Sequence, residues 1–361
     1  MNHDISRRGF LEVLGAGAAM AGLPRGLTRA EDAPTTKPKI KPIRGSWISV
    51  LWNDRRHFYW NDACAKFSRE QWEGLVQEAA DIGMKYLVLL ATVEGGKAFF
   101  DTPLAPKAKE LACDDPIDAM LAAADKCGIK FFLSTGYLDG WLDYGTLIDP
   151  KIAKRRFEAM AQIVDKYGRH ESFWGWYLPD EAGVTPYFTD VFIRHVAIYA
   201  REARRLKLGA KILIAPWGTH NAVCDDKYVK QLEQLDADII AYQDEVGCRR
   251  ATIAESAAAY EKLRLAHDRV PQRALWADVE VFDWEGPSNL QTSPLIPAPF
   301  ERIKKQLAAV SPYVDVITIY QYQGLMSRPG GKAPTGHPGA TKLYRDYVAW
   351  LKSEYPRLVR S

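Results

Sequence analysis

From Arg44 to the end of the chain, short apolar runs alternate with longer stretches of helical period. Met84–Ala91 is apolar but for Lys85, the pattern of a strand covered on both faces. The stretch before it, Ser68–Ile82, opens on Ser68, carries Gln71 three residues on and stops at Gly83, which are the start and stop signs of a helix. The alternation recurs eight times. Strands are predicted over Gly45–Trp52, Met84–Ala91, Ile129–Tyr137, Phe173–Glu181, Lys211–Trp217, Ala237–Gln243, Arg273–Phe282 and Val314–Tyr322. Helices are predicted over Ser68–Ile82, Asp114–Cys127, Lys151–Tyr167, Tyr187–Leu206, Asp225–Leu235, Ile253–His267, Pro299–Val310 and Lys342–Tyr355. Eight strand-then-helix units over residues 44–361 predict one α/β domain, a (β/α)8 barrel. No GxGxxG or GxxxxGK[ST] run marks a nucleotide-binding sheet.

The first 43 residues lie outside this pattern. Ser6-Arg7-Arg8-Gly9-Phe10-Leu11 precedes an apolar Leu11–Leu23 run, and Thr28-Arg29-Ala30 offers a small-residue cleavage site. These signs predict a twin-arginine export signal over residues 1–30 and a periplasmic or secreted protein. Glu31–Ile43 is rich in Pro, Lys and Thr and reads as a flexible lead-in. The whole chain carries a formal charge of +3; four arginines and two acids in the signal leave +1 for the rest. So weak a balance gives no footprint for nucleic acid, and the apolar run is too short to be a stable membrane span. The five cysteines, Cys64, Cys113, Cys127, Cys224 and Cys248, show no zinc spacing. An oxidising compartment would allow a pair to bridge and leave an odd thiol.

Barrel enzymes place their chemistry at the C-terminal strand ends. Those ends hold Trp52, Asn53 and, just beyond, Trp60 on strand one, and Tyr137 on strand three. Asp180 and Glu181 follow strand four, and Trp217, His220 and Asn221 follow strand five. Tyr242 and Gln243 end strand six, Glu280 and Trp284 lie at strand seven, and Tyr320 and Tyr322 at strand eight. Aromatic faces suit sugar C–H surfaces, while amides and carboxylates suit hydroxyls. The predicted partner is therefore a carbohydrate, with no cofactor. Cleaving a glycosidic bond needs two carboxyl groups flanking it. Glu181 and Glu280 are the predicted pair: in Trp276-Ala277-Asp278-Val279-Glu280, alternation sets Trp276, Asp278 and Glu280 on one face. Glu94, Asp244 and Glu245 are the rival acids, and Trp141 is a further candidate platform.

The motifs Trp176-Tyr177-Leu178-Pro179-Asp180-Glu181 and Asp278-Val279-Glu280 resemble the strand-four and strand-seven motifs of the clan A retaining glycoside hydrolases. Residues 44–356 also resemble an uncharacterised family of glycoside-hydrolase-like TIM barrels. The resemblance implies Glu181 as acid/base, Glu280 as nucleophile and Tyr242 as a hydrogen-bond partner of the nucleophile. It departs at Asp180, where the clan has an asparagine that contacts the sugar 2-hydroxyl. Two rival classes stand beside this reading. One is a metal-dependent barrel hydrolase or isomerase drawing on His57 or His220; the other is a non-catalytic glycan-binding barrel.

Overall fold

The computed structural model describes residues 39–52, 55–134, 136–140, 142–287 and 293–360. The predicted export signal, most of the predicted lead-in, Asn53 and Trp141 lie outside them.

Eight parallel strands close into a barrel: β1 (Gly45–Ile48), β2 (Tyr86–Leu89), β3 (Lys130–Ser134), β4 (Phe173–Tyr177), β5 (Lys211–Ile214), β6 (Ile239–Gln243), β7 (Ala274–Glu280) and β8 (Val316–Tyr320). They follow one another round the ring in chain order, and β8 closes on β1. The outer helices are α1 (Arg69–Asp81), α2 (Pro116–Cys127), α3 (Pro150–Tyr167), α4 (Asp190–Leu206), α5 (Asp226–Gln234), α6 (Ile253–His267), α7 (Phe300–Val310) and α8 (Ala340–Glu354). The caps read from sequence are in place. Ser68 and Gln71 form a reciprocal capping box on α1, and Gly128 closes α2 in the left-handed conformation. The strands are shorter than predicted, most of them because their C-terminal residues leave the sheet to build the loops; β6 ends at Gln243 as predicted and is shorter at its start.

Rings fill the barrel. Trp276 of β7 lies 4.6 Å from Tyr86 of β2 and 6.3 Å from Phe132 of β3, ring centre to ring centre. Trp276 therefore points inward, and by alternation so do Asp278 and Glu280. In β4 the register slips: Phe131 pairs with Phe173, but Phe132 pairs with Gly175, leaving Trp174 as an extra residue. Such a bulge re-aims the side chains beyond it. Trp176 now packs on Phe173 (5.1 Å), while Tyr177 meets Trp47 of β1 at 6.0 Å.

Two long loops wall the C-terminal mouth. A ribbon pairs Phe282–Trp284 with Leu295–Pro297, and the segment after β8 runs back over α1. Tyr59 ties both to the β1 loop, donating to Glu285 and packing edge-on against His337. All five cysteines are free thiols. Among the described residues no helix is long and apolar enough to cross a membrane.

Candidate active site

Glu280 is the last residue of β7 and is 3% exposed. Its Oε2 accepts the peptide N–H of Cys248 at 2.6 Å. That donor arrives on the loop after β6, which lies so close that a Cβ at Gly247 would stand 2.7 Å from the Glu280 Cβ. Only glycine permits that approach. Tyr320 of β8 is in register with Glu280 and shares its inward face. The Tyr320 hydroxyl meets His57 Nε2 at 2.7 Å, and the His57 ring packs between Trp60 (4.6 Å) and Trp52 (5.9 Å).

Glu181 follows β4, four residues beyond inward Tyr177, whose hydroxyl donates to Glu181 Oε1 at 3.3 Å. Between them around the ring stand β5 and β6, so the two carboxylates come from well-separated strand ends. Glu181 is half-buried. Tyr137 donates to the Pro179 carbonyl at 3.1 Å and packs edge-on against Trp52 at 5.6 Å. Burial first, then neighbouring Tyr177 and Glu181, raises its phenol well above the usual range.

The β4 and β5 loops are stitched together. Val184 donates to the Trp217 carbonyl at 2.8 Å, and Trp217 donates to that of Ala182 at 3.1 Å. Trp217 is half-buried, and the Arg250 guanidinium sits 5.4 Å above its ring. His220 Nδ1 lies 2.8 Å from Glu245 Oε2, and Asn221 Nδ2 lies 2.9 Å from His220 Nε2. The hydrogen bond to Glu245 raises the His220 pKa. Gln243 is in register with Asp278, faces inward and is held through the Ala215 carbonyl. Trp284 is nearly buried and packs against Phe282 at 5.7 Å.

Four expected site residues are elsewhere. Tyr242 points out of the barrel: its hydroxyl meets Tyr228 Oη at 2.6 Å and His267 Nε2 at 3.1 Å in the helix layer. It cannot hydrogen-bond Glu280, and the Cys248 N–H occupies that role. Tyr322 also faces outward, donating to Glu78 of α1 at 3.4 Å. Asp180 is buried against Arg156 of α3, which it binds in an ion pair, with His195 of α4 at 3.6 Å. It is a structural carboxylate, because a charge removed from water needs a partner charge. Trp60 is fully buried; Gly324 lies against its ring, where a Cβ would stand 2.3 Å away. Trp60 supports His57 and offers no face to a ligand.

Sequence reasoning missed the Cys248 N–H, a backbone group with no residue signature. It also missed Arg302 and Gln306, both of which bond the Glu280 carbonyl at 3.1 Å. Gln306 carried a signal, since it stands on the buried stripe of α7 with Ile303, Leu307 and Val310. Among the described residues no three His, Cys, Asp or Glu side chains converge as a metal site.

The fold recurs among solved glycoside hydrolases. A candidate alpha-L-fucosidase from Bacteroides thetaiotaomicron is similar with a TM-score of 0.67 and 17% identity, over 92% of this chain and 98% of that one. The endo-beta-1,4-mannanase from Thermotoga petrophila is similar with a TM-score of 0.51 and 12% identity, over 90% and 79%. A glycoside hydrolase family 5 protein from Bacteroides vulgatus gives 0.51 and 12%, over 85% and 64%. At such identities the likeness establishes the fold. No curated protein matches the chain. Residues 43–333, from just before the first barrel strand to the loop after the eighth, match the family described as "Domain of unknown function (DUF4434)", and the chain is a member of that family.

Proposed function

We propose that the protein is a glycoside hydrolase acting on a poly- or oligosaccharide, with Glu181 as general acid/base and Glu280 as nucleophile. The observation that carries this reading is the setting of Glu280. It is a buried inward carboxylate that accepts a short peptide N–H from Cys248, and half-buried Glu181 follows another strand of the same barrel end. A backbone donor favours the ionised carboxylate that a nucleophile requires. In the first step Glu181 gives its proton to the glycosidic oxygen as a Glu280 oxygen attacks the anomeric carbon, and the C–O bond breaks. In the second, Glu181 takes a proton from water, which attacks the same carbon and releases Glu280. Two displacements retain the anomeric configuration. Trp217 offers the stacking face, and His220 and Asn221 offer polar edges to hydroxyls. The solved neighbours support the reading by placing glycosidases on this fold.

The test is hydrolysis of a glycan panel by the purified protein and its variants. Glu181→Gln and Glu280→Gln should each lose about 10³-fold or more in kcat with the far-UV spectrum unchanged. A substrate with an activated leaving group should partly restore Glu181→Gln and not Glu280→Gln, since only the first lacks a proton donor. Cleavage that survives Glu280→Gln rejects the assignment. Glycan binding with no cleavage would instead make the barrel a binding module. The twin-arginine segment is read as an export address; Arg7→Lys with Arg8→Lys should hold the protein in the cytoplasm on fractionation.

A further inference from the structure

The loop after β6 opens with two buried acids that turn opposite ways. Asp244 turns to β7 and α7: its Oδ1 accepts the peptide N–H of Glu280 at 3.0 Å, and its Oδ2 accepts Gln306 Nε2 at 2.7 Å. Glu245 turns to the β5 loop. Its Oε1 accepts the Gly218 N–H at 2.9 Å, and its Oε2 lies 2.8 Å from His220 Nδ1. The Glu245 side chain is 1% exposed, so these contacts, with Arg250 at 3.9 Å, replace the water it gives up.

The Glu245 carbonyl closes a tight turn. It accepts the N–H of Arg250 at 3.0 Å and of Ala251 at 3.1 Å, and the Cys248 thiol at 3.4 Å. Inside this turn the Cys248 N–H meets Glu280 Oε2 at 2.6 Å. Glu245 (φ 58°) and Arg249 (φ 60°) both stand in the left-handed region, which residues other than glycine enter at a cost. A chain keeps such a conformation where the surrounding contacts fix it. Here those contacts run to the β5 loop. Besides the Glu245 carboxylate on Gly218 and His220, the Arg250 guanidinium lies over the Trp217 ring at 5.4 Å. The turn that carries the Cys248 donor is thus tied, before and after that donor, to the loop that carries Trp217, His220 and Asn221. None of these ties takes part in the two displacement steps.

We propose that Glu245 is a positioning residue for the nucleophile: by tying the turn to Gly218 and His220, its carboxylate sets the Cys248 N–H on Glu280 and makes the sugar-facing edge and the donor parts of one frame. This rests on the reading of Glu280 given above. The donor must be held on line, because an N–H···O bond weakens steeply as it bends. Cut from the β5 loop, the turn keeps the bonds to its own carbonyl but is free to relax Glu245 and Arg249 out of the left-handed region. The Cys248 N–H then withdraws, and Glu280 loses a donor that favours its ionised, attacking form.

The experiment is ¹H–¹⁵N NMR of the purified protein labelled with ¹⁵N-cysteine, whose five residues give five amide signals. Cys248→Ser identifies the signal of residue 248. A hydrogen bond to a charged carboxylate is short, and a short bond moves the amide proton downfield. In the wild type the Cys248 signal should lie downfield of the other four, and Glu280→Gln should bring it back towards them. Glu245→Gly suits the left-handed backbone and removes the tie. It should keep the far-UV spectrum, bring the Cys248 signal back in the same way and lower kcat about 10²-fold. Glu245→Gln keeps an oxygen for the Gly218 N–H and, against the other imidazole tautomer, an N–H for His220. It should hold the signal near its wild-type place and kcat within about threefold. His220→Ala removes only the sugar-facing end, so it should raise KM and leave the Cys248 signal in place. A wild-type Cys248 signal among the other four overturns the proposal, and so does one that Glu245→Gly leaves unmoved. If Glu245→Gly fails to fold, Glu245→Asn carries the same test, because asparagine accepts the left-handed backbone and falls one methylene short of Gly218. The NMR arm needs no substrate, so a failure to cleave any glycan would reject the hydrolase reading and leave the positioning measured.

Discussion

A buried aspartate stands on the shoulder of each candidate catalytic glutamate, and the two are solved differently. Asp180 precedes Glu181 in the chain, yet its carboxylate turns into the helix layer and pairs with fully buried Arg156, with His195 beside it. Asp244 is 36 residues from Glu280 in sequence, yet it bonds the Glu280 N–H itself, and its other oxygen meets the neutral amide of Gln306. A guanidinium makes the first a structural tie. Burial, with neutral amide donors as its hydrogen-bond partners, pushes the second up to about 6. Neighbourhood in the chain is therefore a poor guide to which acid acts on the chemistry. The layer it faces and the charge of its partner decide.

The contrast can be broken most forcefully at Arg156. Arg156→Met leaves Asp180 buried without its cation and should cost about 3–5 kcal/mol in urea unfolding. Arg156→Met with Asp180→Leu should recover most of that loss; a single variant costing under about 1 kcal/mol would mean the pair is not what holds this face together. Asp180→Asn strands Arg156 instead. It should lower stability by about 2–4 kcal/mol while the kcat of folded enzyme stays within about threefold, whereas Asp244→Asn should do the reverse.

A finer test uses pH. Asp244 has a folded pKa raised from 3.8 to about 6, so its contribution to stability is full below the lower value and is lost as pH rises through the upper. His267, buried behind Tyr242, has its pKa lowered from 6.5 to about 4, chiefly by burial. Its contribution is present above 6.5 and is lost as pH falls towards 4. The two windows overlap with opposite sign. Relative to wild type, Asp244→Asn should gain stability as pH rises from 4 to 6, and His267→Gln should lose it over the same span. Parallel curves for wild type and Asp244→Asn would show that Asp244 does not titrate there. The smallest effect belongs to Tyr242→Phe. It removes hydrogen bonds to Tyr228 and His267 and should cost about 1 kcal/mol per bond, with turnover unchanged. A large loss of turnover would bring Tyr242 back to the site.

Much of the fold is local and could be read directly. Helix α6 spans Ile253–His267 as its period predicted, with Thr252 and Glu255 forming the capping box. The period-two pattern of β7 was enough to turn Glu280 inward, since alternation needs only adjacent residues. Caps, periods and strand ends are all settled within a few residues of chain. The rest was decided across long separations. The extra residue in β4 exists only in its pairing with β3, and it selects Tyr177 over Trp176 as the inward ring beside Glu181. Tyr242 and Tyr322 ended strands as plausibly as Tyr320 did, but one register faces the helices and the other the mouth. The partners that settle where these carboxylates turn lie 24 residues apart for Arg156 and Asp180, 32 for Cys248 and Glu280, and 62 for Asp244 and Gln306. Contacts at such distances leave no periodic trace in the chain. They come from barrel closure and from the need to match every buried charge and N–H, and that matching is a property of the packed structure alone.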